Sequence, residues 1–383
     1  MDKKILILRH KLTAFGGAEL IFLKEAEYFQ AQGYEMKLMA FEVSPAFREK
    51  LSGFDLQVPE GGFWRQVAEL RNLIKSKNFD AVIAHENGHI HLLFATLFMK
   101  SRPKLLLHWY GSFLWLTGSR LNHSWFHRAN VKKLIKDWPG HKQFQADYAK
   151  HLSIKERIRS ELQAFLDYCA IRNFDTVATC SRYAAGECGL LYGRKAEIIP
   201  GGVDTELFSP RDRATARAKL QLSDRKMIFT VNRLDPRKRL DVLIRSMKEI
   251  DALLVIAGTG PEEPNLKALA AGQENIIFAG FVADELLPDY YAAADVVAYP
   301  AWCAWGLVPL EALSMNRRTA ISKDALISEA LKGQPNSFVA GPEDDEFTEI
   351  LRQALRAEDR NSRELMQEEF DWKIYFRKIG SFI

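Results

Sequence analysis

Short apolar runs alternate with stretches of helical periodicity along almost the whole chain, and the alternation occurs as two successive series. The first comprises ILIL (5–8), KLMAF (37–41), AVIA (81–84), KLLLH (104–108), TVAT (176–179) and EIIP (197–200). The second restarts at MIFTV (227–231) and continues through ALLVIAG (252–258), IIFAG (276–280), VVAYP (296–300), TAIS (319–322) and SFVA (337–340). Runs that are apolar throughout, rather than on alternate residues, suit strands buried on both faces, so each series predicts a parallel sheet covered by helices. The fold class is α/β, with two doubly wound domains. Between the series lies Pro200-Gly201-Gly202-Val203-Asp204, a turn-rich stretch that places the boundary at 204/205.

Length and composition agree. At roughly 150 residues per domain, 383 residues suggest two or three domains. Hydrophobic residues at 47% and charged residues at 27% exclude a disordered or fibrous chain. The longest nearly continuous apolar run, 92–99, is far short of the roughly 18 residues needed to span a bilayer. The N-terminus lacks a signal-peptide core, so a cytoplasmic protein is expected. Cys169, Cys180, Cys188 and Cys303 show neither a C-x-x-C pair nor zinc-ligand spacing, as expected for reduced thiols. Charge is uneven: residues 1–200 carry 29 Lys and Arg against 20 Asp and Glu, and the remainder carries 24 against 29. A basic front half suggests an anionic ligand or lipid surface.

In parallel sheets of this kind ligands bind at the carboxyl ends of the strands, so the segments after each run carry the functional argument. Phe15-Gly16-Gly17-Ala18-Glu19 follows the first run and opens a helical stretch reaching about Gln32. Adjacent glycines permit close backbone approach, and free amides at a helix start favour phosphate; a tight turn needing glycine sterically fits the same residues. The segment is not G-x-G-x-x-G, which weakens a dinucleotide-dependent dehydrogenase. In the second half Arg233 follows a strand and Lys238 lies at a helix start, a pair suited to a diphosphate, or else part of a solvated basic turn with Arg237 and Arg239. Ala257-Gly258-Thr259-Gly260-Pro261 again offers small residues before a helix. In Trp305-Gly306-Leu307-Val308-Pro309-Leu310-Glu311, free amides could take phosphate oxygens and Glu311 could accept from ribose hydroxyls.

Taken in order, FGGAE (15–19), His108, IIPGGVDTELFSP (198–210), VNRLDPRKRLDVLIRSM (231–247), AGTGPE (257–262), AGFV (279–282) and WGLVPLEAL (305–313) make the chain resemble the retaining nucleotide-sugar transferases of glycosyltransferase family 4, over nearly its whole length. The resemblance implies the GT-B fold: two Rossmann-like domains facing across a cleft, residues 1–204 binding the acceptor, 205–369 binding the donor, and a C-terminal helix at 370–383 crossing back to the first domain. It implies that Gly16, Gly17 and Gly258 approach the donor, Arg233 and Lys238 hold its diphosphate, and Val282 contacts the base. It further implies that Gly306, Leu307 and Val308 present backbone, that Glu311 holds the ribose, and that His108 stands near the transferring sugar. An imidazole there can donate or accept a hydrogen bond near neutral pH, and a packed strand-end histidine is the plainer alternative.

The pattern breaks at one place. Where the family carries the first of two glutamates seven residues apart, this chain has Cys303, so a charged partner for the donor sugar is replaced by a thiol. The Gly-Gly loop usual before Glu329 reads Ser322-Lys323-Asp324-Ala325. Lys323 could meet an anion, although a surface lysine suits it equally.

Two histidine pairs at i, i+4, His85 with His89 and His123 with His127, lack a third ligand, and no metal site is expected. The segment 112–159 is rich in aromatic and basic residues, among them Phe113, Trp115, Trp125, Arg128, Lys132 and Lys133. It suits an anionic membrane surface or a lipid-carried acceptor; a solvated helical insertion is the plainer reading, and no nucleic-acid module is legible.

The expected protein is therefore a retaining, metal-independent glycosyltransferase of hexosyltransferase type. Its substrate is a nucleoside diphosphate sugar, UDP favoured over GDP, and no cofactor is called for. The acceptor hydroxyl belongs to a glycan or lipid-linked acceptor in cell-surface polysaccharide or lipopolysaccharide assembly, at the inner face of the membrane. The alternative is a catalytically silent nucleotide-sugar binding protein.

Overall fold

The computed structural model of the chain describes residues 3–13, 16–85, 88–111, 130 and 153–383. The chain divides into two compact units, Met1–Ile199 with Phe376–Ile383, and Pro200–Tyr375.

The first unit is built on a seven-stranded sheet of order β3-β2-β1-β4-β5-β6-β7. Its strands are β1 (Lys4–Leu12), β2 (Glu35–Val43), β3 (Leu56–Gln57), β4 (Ala81–His85), β5 (Lys104–His108), β6 (Thr176–Thr179) and β7 (Glu197–Ile198), all paired in parallel. Ile5 to Leu8 and Val82 to Ala84 are wholly inaccessible, because helices cover both faces and every side chain of a central strand meets one of them. Helix α1 (Gly17–Ala31) follows β1 and buries Ile21, Phe22, Glu25, Ala26 and Phe29. That stripe has the spacing of one helical face, with a carboxylate in the middle of it. At the end of the chain Phe376 stacks on Tyr28, ring centres 4.2 Å apart, within this unit.

The second unit holds a six-stranded parallel sheet of order β10-β9-β8-β11-β12-β13. The strands are β8 (Met227–Val231), β9 (Leu253–Ala257), β10 (Ile276–Gly280), β11 (Val296–Tyr299), β12 (Arg318–Ser322) and β13 (Ser337–Ala340). Alternate residues feed two cores. Phe229, Val255, Val297 and Tyr299 pack on one side, and Ile228, Leu254, Ile256 and Val296 pack on the other beneath Phe347 and Leu351 of the Asp344–Arg356 helix.

Both sheets are doubly wound, as the alternation of runs predicts. In each, the direction of strand progression reverses once, between β1 and β4 and between β8 and β11. A crevice opens beside the carboxyl ends at such a reversal, and the segments singled out in the sequence follow these strands. The short edge strand β3 carries no apolar run and was not expected: two half-buried residues give no periodicity to read.

Candidate active site

After β8 the chain turns outward. Arg233 is exposed, and Asp235 accepts a hydrogen bond from the Arg237 backbone at 3.0 Å, capping a short 3-10 turn, Pro236–Lys238. Lys238 is therefore the last residue of this turn, and the helix proper begins at Leu240. The three cations of the turn have different fates. Arg237 pairs with Asp235 at 3.2 Å, and Arg239 donates to Asp324 at 3.2 Å and to the Pro342 carbonyl at 2.8 Å. Lys238 instead holds its ammonium 5.5 Å from the centre of the Tyr299 ring, a cation–π position at the carboxyl end of β11.

Tyr299 organises the same strand end. Its hydroxyl lies 3.3 Å from Cys303 Sγ, and burial pushes the thiol above its ordinary range, against the pull of Lys238. Cys303 is thus a neutral thiol at physiological pH. Its carbonyl accepts from Leu326 at 3.0 Å, which ties this loop to the one after β12. A Cβ on Gly306 would stand 2.5 Å from the Tyr299 ring, so the glycine is required by that ring. Leu307 caps the Val308–Ser314 helix without a side-chain bond, and Glu311 lies in its first turn. Tyr291 donates to Glu311 Oε2. Burial, reinforced by Asp284 and opposed by the Tyr291 bond, pushes the Glu311 carboxyl up to about 7. Val282 is buried behind β10, whereas Lys323 is exposed.

Gly258 has a reason of its own. With φ at +113° and an implied Cβ 1.9 Å from the Asn232 carbonyl oxygen, it lets the loop after β9 press on the loop after β8. Its N–H donates to the Gly280 carbonyl at 2.6 Å. The glycine is thus fully accounted for by the protein's own backbone.

In the first unit Gly16 is the extended N-cap of α1 and gives no side-chain cap, and Gly17 begins the helix. Arg9, in the second half of β1, pairs with Glu19 of the first helical turn at 2.5 Å. Two turns further on, Glu25 is wholly buried between two histidines. Its Oε2 lies 2.9 Å from His85 Nε2, and its Oε1 lies 2.9 Å from His108 Nε2. His85 Nδ1 is 2.9 Å from the Tyr110 hydroxyl. Burial alone would raise the Glu25 carboxyl, but the two imidazoles overcome it and hold the group well below the usual carboxylate range. Burial lowers His85 to about 4, with Glu25 offsetting only part of the effect. An ionised carboxylate only accepts, so both histidines carry their proton on Nε2, and neutral His85 accepts at Nδ1 from Tyr110.

His108, expected near the reacting sugar, thus sits at a sheet edge with one ring nitrogen committed to Glu25. His89 bonds Asp167 at 2.8 Å, so His85 and His89 serve different carboxylates. Among the described residues no three potential metal ligands cluster. The structure brings Lys238, Cys303, Gly306 and Glu311 to one strand edge through two tyrosines, Tyr299 and Tyr291, that sequence reasoning did not single out. It also missed Glu25, whose signal was legible: a glutamate in phase with Ile21, Phe22 and Phe29. Most of the aromatic and basic segment, with His123 and His127, lies outside the described residues.

The chain matches the family model described as Glycosyltransferase Family 4 over residues 15–207 and the model described as Glycosyl transferases group 1 over residues 212–369. A GDP-mannose-dependent alpha-(1-6)-phosphatidylinositol monomannoside mannosyltransferase of Mycolicibacterium smegmatis is 32% identical over 202 residues, 47% of this chain and 53% of that protein. The chain spans about half the length, or less, of the curated relatives it matches. Among solved structures, HepE of Anabaena in complex with UDP superposes with a TM-score of 0.74 at 18% identity, covering 99% of this chain and 98% of that one. Sucrose-phosphate synthase from Thermosynechococcus elongatus superposes with a TM-score of 0.73 at 17% identity, with the same coverage.

Proposed function

The chain belongs to glycosyltransferase family 4 and has the GT-B architecture of two Rossmann-like domains, and on that premise we propose that it transfers a sugar from a nucleoside diphosphate donor to an acceptor hydroxyl with retention at the anomeric carbon. The observation that carries the donor assignment is the strand edge of the second unit, where Lys238, Tyr299, Gly306 and Glu311 converge beside the β8/β11 reversal.

In this reading Arg233 and Lys238 stabilise the negative charge that develops on the departing diphosphate, and Glu311 accepts from the ribose hydroxyls. Preorganised cations act in the transition state, where the leaving group gains charge, so they raise turnover more than binding. The leaving phosphate oxygen takes the acceptor proton on the same face, which requires neither an enzymic nucleophile nor a metal ion. His108 meets the transferring sugar or the acceptor. Cys303 leaves the donor sugar to be held by backbone and by other side chains.

The name of the mycolicibacterial relative moves the favoured donor from a uridine nucleotide to GDP-mannose, with UDP-sugars second. The acceptor is a lipid-linked glycan or glycolipid, met at the inner face of a membrane. No helix among the described residues is long and apolar enough to cross a membrane. Peripheral contact has support in the helix Ile154–Arg172, which leaves Ile154, Ile158, Leu162 and Phe165 exposed along one edge.

The test is a thermal-shift screen of nucleoside diphosphates and their sugars, followed by mass spectrometry of products formed from GDP-mannose or UDP-glucose with a membrane lipid extract. NMR of the product then gives the anomeric configuration. Failure of every nucleoside diphosphate to stabilise the protein overturns the reading. A silent nucleotide-sugar binding protein is the second reading, favoured by the thiol at 303; donor binding with no product over hours selects it.

A further inference from the structure

An ionised side chain in the apolar stripe of a helix is unfavourable unless its oxygens are fully partnered, and Glu25 of α1 is such a group. Its partners are not scattered. His85 and His108 are the last residues of β4 and β5 and are register partners across the parallel pair. Their rings stack at 4.9 Å and 20°. One carboxylate therefore bridges two neighbouring imidazoles at the carboxyl edge of the sheet, where ligands bind in this architecture. Among the described residues, Arg9 from β1 acts on His85, Tyr110 beyond β5 bonds His85 Nδ1, and Phe22 of α1 meets the His85 ring edge-on.

We propose that Glu25 is a positioning residue for the transfer: bridging to His85, it holds the His108 ring in the Nε2–H tautomer and keeps a negative charge against it. The inference rests on the reading that His108 meets the transferring sugar or the acceptor. Held 2.9 Å from His108 Nε2, the carboxylate fixes the orientation of the ring and stabilises any positive charge the ring acquires. His85 is the second anchor. Neutral, and fixed through Tyr110, it holds the other carboxylate oxygen so that Glu25 does not rotate away from His108. A purely structural origin is the competing account. It makes a different prediction, because a buried polar pair can be exchanged for apolar side chains of similar size without loss of packing.

The experiment uses the full chain and three measurements: imidazole 15N–1H spectra of 15N-histidine protein, cooperative thermal unfolding, and steady-state turnover of whichever of GDP-mannose or UDP-glucose supports it. The variants are Glu25→Leu/His85→Leu, Glu25→Asp and His108→Gln. The expected native spectrum shows His85 and His108 as Nε2–H tautomers. The double leucine variant unfolds cooperatively, yet its kcat falls about 100-fold with donor KM within about twofold, and Glu25→Asp recovers part of that loss. A native spectrum with His108 protonated on Nδ1 overturns the proposal, as does a folded double leucine variant with kcat within about threefold of the native protein. If that variant is active while His108→Gln is inactive, positioning by Glu25 fails and the role of His108 stands. If His108→Gln keeps native kcat, the role of His108 fails and the positioning claim falls with it.

Discussion

The Tyr299 hydroxyl stands 3.3 Å from Cys303 Sγ, and the Lys238 ammonium lies 5.5 Å from the centre of the same ring. A cation, an aromatic face and a neutral thiol therefore share the end of β11, where a carboxylate is the family's usual residue. The consequence is electrostatic. With a thiol at position 303, Lys238 has no anion at that position to neutralise it, which leaves its charge for the diphosphate proposed to bind there.

Replacing the thiol tests whether it faces the donor. Cys303→Ala is expected to cost about 1 kcal/mol of stability, because a buried atom is removed and the Tyr299 hydroxyl loses a partner. The ratio of kcat/KM for GDP-mannose over UDP-glucose is expected to change about tenfold. Unaltered rate and selectivity with the same small loss of stability would reduce Cys303 to a packing residue.

If Glu311 holds the ribose as proposed, nucleotide binding is expected to depend on pH. Its carboxyl titrates at about 7, above the 4.5 of an ordinary glutamate, because burial disfavours the charge. Ribose hydroxyls are held best by the ionised form, so affinity for GDP or UDP is expected to fall as pH drops through about 7. Stability runs the other way. A raised folded-state value favours folding below about pH 4.5, and this contribution is lost as pH rises through 7. Glu311→Gln should therefore raise stability more at pH 8 than at pH 5, by at most about 3 kcal/mol, while removing the pH dependence of binding. Calorimetric titration with GDP from pH 5.5 to 8.5 checks the sign for binding, and urea unfolding of the native and Glu311→Gln proteins at pH 5 and pH 8 checks the sign for stability; a flat native binding profile contradicts the assignment.

Arg233 and Lys238 separate charge from packing. Arg233 is exposed, so Arg233→Ala is expected to leave the donor-free melting temperature unchanged and to lower kcat by about 10²–10³. Lys238→Met keeps an apolar stem over Tyr299 while removing the charge, and a similar loss of kcat is expected with little loss of stability. Turnover that survives either substitution would remove that residue from the diphosphate site.

What the sequence made legible, and what it hid, follows from the range of the interactions. Strands as different as β8, inside its sheet, and β10, at the edge of the same sheet, were read to the residue because apolar content and turn residues bound them locally. The glycines and cations after β8, β9 and β11 were legible as segments, but their physical reasons were not. Gly306 answers to the ring of Tyr299, seven residues earlier, and Gly258 answers to Asn232 on another loop. Tyr291 is a partner of Glu311 across twenty positions, and Glu25 bonds residues sixty and eighty-three positions away. Such pairings arise from the parallel register and have no local pattern. Only the anomaly of a charge in the buried stripe of α1 marked one of them in advance.

Gly258 offers a test of how the strand-end loops support one another. An alanine there must adopt a φ of +113°, far from any well populated by L residues, and must place its Cβ where the Asn232 carbonyl oxygen stands, 1.9 Å away. Neither loop yields easily. Gly258 donates to Gly280, and the Asn232 N–H donates to the Ala257 carbonyl at 3.1 Å, so a shift of one breaks bonds to the others. Gly280 is the control, because its φ is also positive, at +65°, yet nothing lies within 4 Å of its implied Cβ. Gly280→Ala is expected to cost about 1 kcal/mol from backbone strain alone, and Gly258→Ala about 3 kcal/mol or more, strain and clash together. Because Arg233 follows Asn232 directly, Gly258→Ala should also weaken GDP binding, whereas Gly280→Ala should not. Urea unfolding midpoints together with GDP titrations measure both effects. Equal midpoints for the two variants would mean that the contact between the β8 and β9 loops does not constrain the site.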